Sequence, residues 1–387
     1  KESTMNSKWE MLEQSNEARE KIWGKNRSFA GDVWYRFHRK PTAIVGFVII
    51  VVLMLFAFLG PLFTGRSYSK QNLALVNVSP LMKVFETPDC VSYLYITQNL
   101  KLLTVNKDGT LGEQLDKLRE DSARQMSIYD CGGKKVALYY GKMPYLVINP
   151  ETLVIAKSKV LWNRSYLFGT DALGRDILTR LMYGTRVSLL VAFVAAGVNL
   201  ILGILYGGIS GYFGGRTDMV MMRVVDIIST IPLTLYVILI MVLMGAGLQS
   251  IMVALGTTYW VDMARVVRGQ VLSLKRQEFV LAAKTIGSSA KTVLLAHLIP
   301  NAMGSILVTV TMLIPSAIFM EAFLGFLGIG LQPPLASLGT MCNDATENLR
   351  TCPYQLFIPA IIIVLIMFAF NFVGDGLRDA LDPKLRK

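Results

Sequence analysis

The sequence predicts an all-α polytopic membrane protein interrupted by a small α+β domain outside the bilayer. Composition is the first observation: 53% of the 387 residues are hydrophobic and only 17% are charged, with a mean hydropathy of +0.46, well above soluble averages. The second is the recurrence of apolar runs long enough to cross a hydrocarbon core of roughly 30 Å. The third is a break in that pattern at 66–160, where short runs rich in Tyr, Val and Leu alternate with turn residues. Length alone would suggest two domains, but composition decides what they are.

Residues 1–42 read as a polar tail ending in an interfacial helix. Val33, Trp34 and Phe37 recur at helical spacing among charges, which suits a helix lying along the headgroups with its tryptophan at that depth. The first span, about 43–63, follows some forty polar residues and lacks a small-residue cleavage site, unlike a removable leader. Five more spans are expected within 161–387, at about 187–210, 219–245, 249–267, 301–325 and 356–376. In the insert, VSYLYI (91–96), LKLLTV (100–105), KVALYYG (135–141) and PYLVI (144–148) read as strands, with an Asn-Lys-Asp-Gly turn at 106–109. LGEQLDKLREDSARQM (111–126) reads as one amphipathic helix, with Leu111, Leu115, Leu118 and Ala123 on one side.

Orientation follows from lysine and arginine. They crowd the N-terminal segment (Arg36, Arg39 and Lys40 among them), the loop after the fourth span (Arg265, Arg268, Lys275, Arg276, Lys284, Lys291) and the tail (Arg378, Lys384, Arg386, Lys387), and are missing around Gly245–Gln249. Both termini and the 278–301 loop are therefore expected in the cytoplasm, and the insert outside. The net charge of +12 then reflects topology. Nucleic acid is excluded as a partner, because the charges are dispersed and no basic-aromatic module occurs.

All four cysteines (Cys90, Cys131, Cys342, Cys352) fall in segments assigned outside, where disulfides persist. Proximity in sequence favours Cys90–Cys131 and Cys342–Cys352 among the three possible pairings; four free thiols are the alternative. No metal site is expected, since His38 and His297 lie far from every cysteine in sequence.

The stretch EFVLAAKTIGSSAKTVLLAHLIPN (278–301) is a polar loop between apolar runs. Phe279, Ala282, Ala283, Ile286 and Ala290 nevertheless recur at helical spacing, Gly287 interrupts the helix, and Pro300 enters the next span. This resembles the "EAA" loop of bacterial ABC importer permeases, with Ala282, Ala283, Gly287, Ile299 and Pro300 in register and Leu281 where the motif has its glutamate; the resemblance implies Glu278, Ala282, Ala283, Gly287 and Pro300 as ATPase-coupling residues. LFGTDALGRDILTRLMYGTRVSLLVA (167–192), GYFGGRTDMVMMRVVDIISTIP (211–232), EAFLGFLGIGLQPP (321–334) and NFVGDGLRDALDPKLR (371–386) narrow the resemblance to the oligopeptide/dipeptide permeases of the OppC/DppC type. It covers 28–65 and 165–387 and omits 66–160; Gly325 replaces a common serine. It implies the six-helix type I importer fold, a bacterial cell membrane, a second non-identical permease, two ABC ATPases docking on 278–291, and an extracytoplasmic binding protein that delivers peptide.

The chain has no G-x-x-x-x-G-K-[ST] loop, H-E-x-x-H or G-x-S-x-G, so it is expected to bind no cofactor and catalyse no reaction, ATP and magnesium belonging to the partners. Ionisable groups within spans mark function or structure. Glu321 reads either as a pathway residue or as a structural hydrogen-bonding group. Arg223 and Asp226, three apart, read as a structural ion pair, and Asn371 and Asp375 as a structural polar pair on one face. A membrane-anchored sensor built on the insert is the alternative function, but it needs neither the 278–301 loop nor six matched spans. Dipeptides, glutathione and nickel chelates are alternative cargoes.

Overall fold

The computed structural model describes residues 29–87, 91–141, 144–148 and 155–381. Helix α1 (Phe29–His38) turns into α2 (Pro41–Phe58), whose proline occupies the first turn, where no amide is needed. Phe37 is buried with Ala43 and Ala380, while Trp34 on the same helix stays exposed, as an interfacial helix requires. A pairing of Lys40 with Asp379 ties this elbow to the end of the chain.

The insert is built of strands: β1 (Leu81–Thr87), β2 (Val91–Ile96), β3 (Leu102–Val105), β4 (Leu111–Gln114), β5 (Lys117–Asp121), β6 (Met126–Cys131), β7 (Lys134–Tyr139), β8 (Tyr145–Val147) and β9 (Ser158–Trp162). They form two antiparallel sheets, ordered β4-β3-β2-β1-β9 and β5-β6-β7-β8. Phe85, Leu94 and Leu102 of the first sheet bury against Tyr129, Val136, Leu138 and Leu146 of the second. The helix expected over 111–126 is not formed. That segment supplies β4 and β5, one edge strand to each sheet, joined to β6 by a turn with Gln125 at φ 49°. Its charges imitate a helical face because edge strands tolerate exposed Lys, Arg and Glu.

The membrane part follows: α3 (Ile177–Phe213), α4 (Gly215–Ser229), α5 (Leu233–Met244), α6 (Leu248–Gly256), α7 (Trp260–Leu274), α8 (Glu278–Thr285), α9 (Ile299–Phe326), α10 (Leu338–Thr346) and α11 (Tyr354–Leu381). Among the described residues, α2, α3, α11 and the continuous helix Ala290–Phe326 are long and apolar enough to cross a membrane alone. The expected third span, 219–245, is instead the pair α4–α5, bent by 80°. Pro232 explains the bend, since it lacks an amide and disfavours helix at Ile231. The Ser229 and Thr230 hydroxyls cap the carbonyls of Val225 and Ile227 at 2.8 and 2.6 Å. The expected fourth span is likewise broken between α6 and α7, where Thr257 donates to Val253 O at 2.7 Å and Thr258 to Ala254 O.

Helix α3, 37 residues long, is about 55 Å at 1.5 Å per residue, longer than the hydrocarbon core. It therefore joins the two ends of the bundle: Ile177 near the insert, and Tyr212 beside α8. Helix α7 lies against its glycine face. A Cβ on Gly203 would stand 2.2 Å from Met263 Cγ, and one on Gly207 2.3 Å from Ala264 O. Asn199, buried on α3, donates to Leu255 O at 3.0 Å and so holds the last turn of α6 to the same helix.

This contact is testable with single methyl groups. Gly207→Ala should destabilise the purified chain by about 1–3 kcal/mol through overpacking, read as a lower melting temperature in detergent. Gly197→Ala, which meets nothing within 4 Å, should leave the melting temperature unchanged or slightly raised. Equal effects from the two would remove the close approach as the cause.

Candidate functional site

Helix α8 and the segment after it form an exposed, rigid projection at one end of the bundle. Val280 and Ala283 face inward and pack with Val267 and Val271 of α7 and with Val293 and Leu298. The opposite face carries Phe279, Leu281, Ala282 and Ile286, all exposed, Ile286 at 83%. An apolar stripe turned to solvent on a helix packed from behind marks an interaction site. The helix stops in a Schellman arrangement: Gly287 N donates to Lys284 O at 3.0 Å and Ser288 N to Ala283 O at 3.0 Å. Gly287 takes φ 83° and has open space around it, so backbone conformation requires glycine there.

Ser289 caps the next helix by accepting from Thr292 N at 3.2 Å. A π turn over Val293–Leu298 precedes Pro300, whose ring cannot donate to the preceding turn; the wider turn accommodates that loss. Behind α8, Lys275 donates to Tyr212 O, and Lys275 and Lys284 both stand 5.5 Å from the Tyr212 ring centroid. Burial first, then the Lys284 charge, lowers the Lys275 ammonium from its ordinary value. Sequence reading missed Tyr212, because nothing in its local pattern sets it apart.

Glu321 is fully buried on α9. Ser188 Oγ on α3 donates to its Oε2 at 2.7 Å, whereas Oε1 has no hydrogen-bond partner. Ser337, just before α10, lies near the same carboxyl. The close approach of α10 depends on small residues here: a Cβ on Gly339 would meet Ala322 O at 2.3 Å, and one on Gly325 would meet Thr340 N at 2.8 Å. That leaves no room for the serine common in the family at Gly325. Glu321 thus joins α3, α9 and α10 from inside the packing, with none of its surface open to solvent in this conformation.

At the opposite end, the GTDALGRD turn is knit by two buried arginines. Asp171 accepts from Arg175 Nε at 2.7 Å and from Arg180, and both guanidiniums reach Asp344 of α10, at 3.1 and 3.0 Å. Asp176 caps α3, accepting from Thr179 Oγ1 at 2.5 Å. The insert is fastened to this end by Gln355 Nε2, which donates to Asn77 Oδ1 at 2.8 Å and to Thr170 O at 2.9 Å. Tyr354 Oη donates to Val78 O at 3.1 Å.

The cysteine and polar-pair expectations fare differently. Cys131 is disulfide-bonded; Cys90 lies outside the described residues. Cys342 and Cys352 are free and buried, which corrects the expected second disulfide. Their proximity in sequence misleads, because Cys342 sits within α10 whereas Cys352 accepts from Gln98 Nε2 of the insert at 3.2 Å. Asp226 pairs with Arg265 of α7 at 3.3 Å and not with Arg223, because the nearest cation across the α4–α7 contact reaches it first. Asn371 is half-buried and Asp375 exposed; among the described residues neither enters a side-chain hydrogen bond or ion pair. The polar pair expected there is not formed among the described residues.

Several membrane-crossing helices and a solvent-facing helix on the chain between two of them define a multi-pass membrane protein with a preformed docking element. Residues 199–387 match the family described as the binding-protein-dependent transport system inner membrane component, and residues 28–80 the N-terminal TM domain of oligopeptide transport permease C. The oligopeptide transport system permease protein OppC of Bacillus subtilis is 40% identical over 368 residues, covering 95% of this chain and 94% of that one. The dipeptide permease DppC of the same organism is 52% identical over 221 residues, covering 57% and 69%. Among solved structures, a chain of the inward-facing MetNI methionine ABC transporter covers 52% of this chain and 96% of its own at 19% identity and TM-score 0.45. The chain belongs to the OppC/DppC family of peptide ABC permease subunits.

Glu321 gives a direct test of its packing role. Glu321→Gln keeps an acceptor for Ser188 and should melt within a few degrees of the parent in detergent. Glu321→Ala should cost on the order of 2–4 kcal/mol, from the cavity and the stranded hydroxyl. If the alanine variant melts like the parent, the carboxyl is not part of what holds these helices together.

Proposed function

We propose that the chain is one transmembrane half of an ATP-driven oligopeptide importer in a bacterial cell membrane, with both termini and the α8 end in the cytoplasm. A second, non-identical permease completes the pathway. Two ABC ATPases bind ATP and magnesium and push on α8, and an extracytoplasmic binding protein delivers peptide at the insert end. The chain itself supplies no ATPase site and acts as a conduit.

The observation that carries this reading is the α8 projection. An ATPase pushing on a floppy loop would dissipate its motion locally. Helix α8 is instead fixed from behind by Val280 and Ala283 and closed by a Schellman turn, while Phe279, Leu281, Ala282 and Ile286 remain free for a partner. With Leu281 in place of the family's glutamate, that contact is mainly apolar. Movement of α8 passes to α7 and to the helix beginning at Ala290, which share its core cluster.

The insert supports the other half of the reading. Its sheets stand over the ends of α3 and α11, tied there through Asn77, Thr170 and Gln355, which puts a rigid platform where a binding protein would release peptide.

Gly287→Pro tests the coupling. Proline cannot take φ 83° and removes the amide bonded to Lys284 O, so peptide uptake by the reconstituted importer should fall at least tenfold. Membrane insertion and recovery with the second permease should persist. Parental uptake by this variant would contradict coupling through α8.

A further inference from the structure

Both helix breaks of the membrane part open onto one cavity of about 280 Å³. The α4–α5 bend contributes Ser229 and Tyr236, and the α6–α7 break contributes Thr258, Tyr259, Asp262 and Arg265. Asp262 stands twelve residues before the end of α7, about 18 Å up the helix at 1.5 Å per residue. It falls within the fourth span expected from the sequence, 249–267. Interrupted helices within a span are tolerated where they are buried in protein or line a water-filled space, and here both breaks open onto the cavity.

The charges make the same point. The side chains of Asp262, Asp226 and Arg265 are 77%, 54% and 42% exposed. Charged groups within a span do not face lipid without heavy cost, which fits a surface turned toward the pathway. The arginine is loosely held between the acids. Its firm bond goes to Ser229 Oγ, at 2.6 Å, its contact with Asp226 is 3.3 Å, and that with Asp262 is the longest, at 3.4 Å. Two carboxylates share one guanidinium, and the more exposed of them holds it by the longest contact.

We infer that this cavity is a low-affinity way-station for the peptide in transit, with Asp262 taking the N-terminal ammonium while Ser229, Thr258 and the two tyrosines offer hydrogen-bonding groups to the backbone. The inference rests on the importer reading above and names the residues that touch its cargo. A main-chain amine is common to all peptides, so a site that reads it serves a permease of broad specificity. Loose, replaceable contacts suit a conduit, which must release what it binds. The volume admits one or two residues of an extended chain.

The test uses the complete importer in liposomes: this chain, the second permease, the ATPases and the binding protein. A free-amino pentapeptide carrying an activated-disulfide cysteine is the probe. Tyr236→Cys should capture it during ATP turnover at least tenfold more than Leu235→Cys, which is exposed on the same helix but does not line the cavity. Asp262→Asn should lower uptake about tenfold with the complex recovered intact by size exclusion, and Asp262→Glu should restore most of it. Equal capture at the two cysteines, or parental uptake by Asp262→Asn, would overturn the assignment. Loss of the assembled complex in both Asp262 variants would also overturn it, marking a subunit contact instead. If the parent complex takes up no peptide, the importer reading itself falls.

Discussion

The close contact of α3 with α7 is the constraint on which the rest of the structure depends. Helix α3 is long enough to reach from the insert to α8, and its glycines let the α7 backbone lie directly against it. In lipid, close packing takes the place that the hydrophobic effect holds in water, so this fit fixes where α7 ends and therefore where α8 begins. A push on α8 moves α7 against α3, and α3 carries Ser188, the partner of Glu321, as well as the Asp176 cap beside the insert junction. The two ends of the molecule are thus connected by one rigid helix and one tight seam.

Satisfying the backbone away from water explains the remaining architecture. At the two broken spans a hydroxyl or amide replaces the lost bond: Ser229 and Thr230 at one break, Thr257 and Thr258 at the other, and Asn199 on Leu255 O. Buried charge obeys the same rule at the insert end, where Asp171 and Asp344 share two arginines. Breaking such a buried network by removing one partner typically costs about 3–5 kcal/mol. This turn therefore serves as a fixed abutment under the insert.

Much of this was legible in the sequence because it rests on local pattern. The apolar runs place α2, α3, α9 and α11, the amphipathic loop places α8, and φ 83° explains why glycine stands at 287. What local pattern could not show depended on partners distant in the chain. The α4–α5 pair has the hydropathy of a continuous span, so that only Pro232 signals its break, and the Gly256-Thr257-Thr258 run marks the other. The strands β4 and β5 carry an edge-strand charge pattern that also satisfies a helical wheel, and the choice between them is made by the neighbouring strands. Asp226 meets Arg265 and not Arg223 because α4 crosses α7. Cys342 and Cys352 are separated by the boundary between a packed helix and the insert junction.

Docking of the ATPases on α8 can be measured without reconstituting transport. With cysteine placed at Ile286, the most exposed apolar position on that helix, the rate of labelling by a membrane-impermeant maleimide reports whether the stripe is covered. In the permease pair alone the cysteine should label fast, and with the ATPases bound it should be protected at least tenfold. Equal labelling in the two states would contradict docking through this face, and with it the route by which the importer is driven.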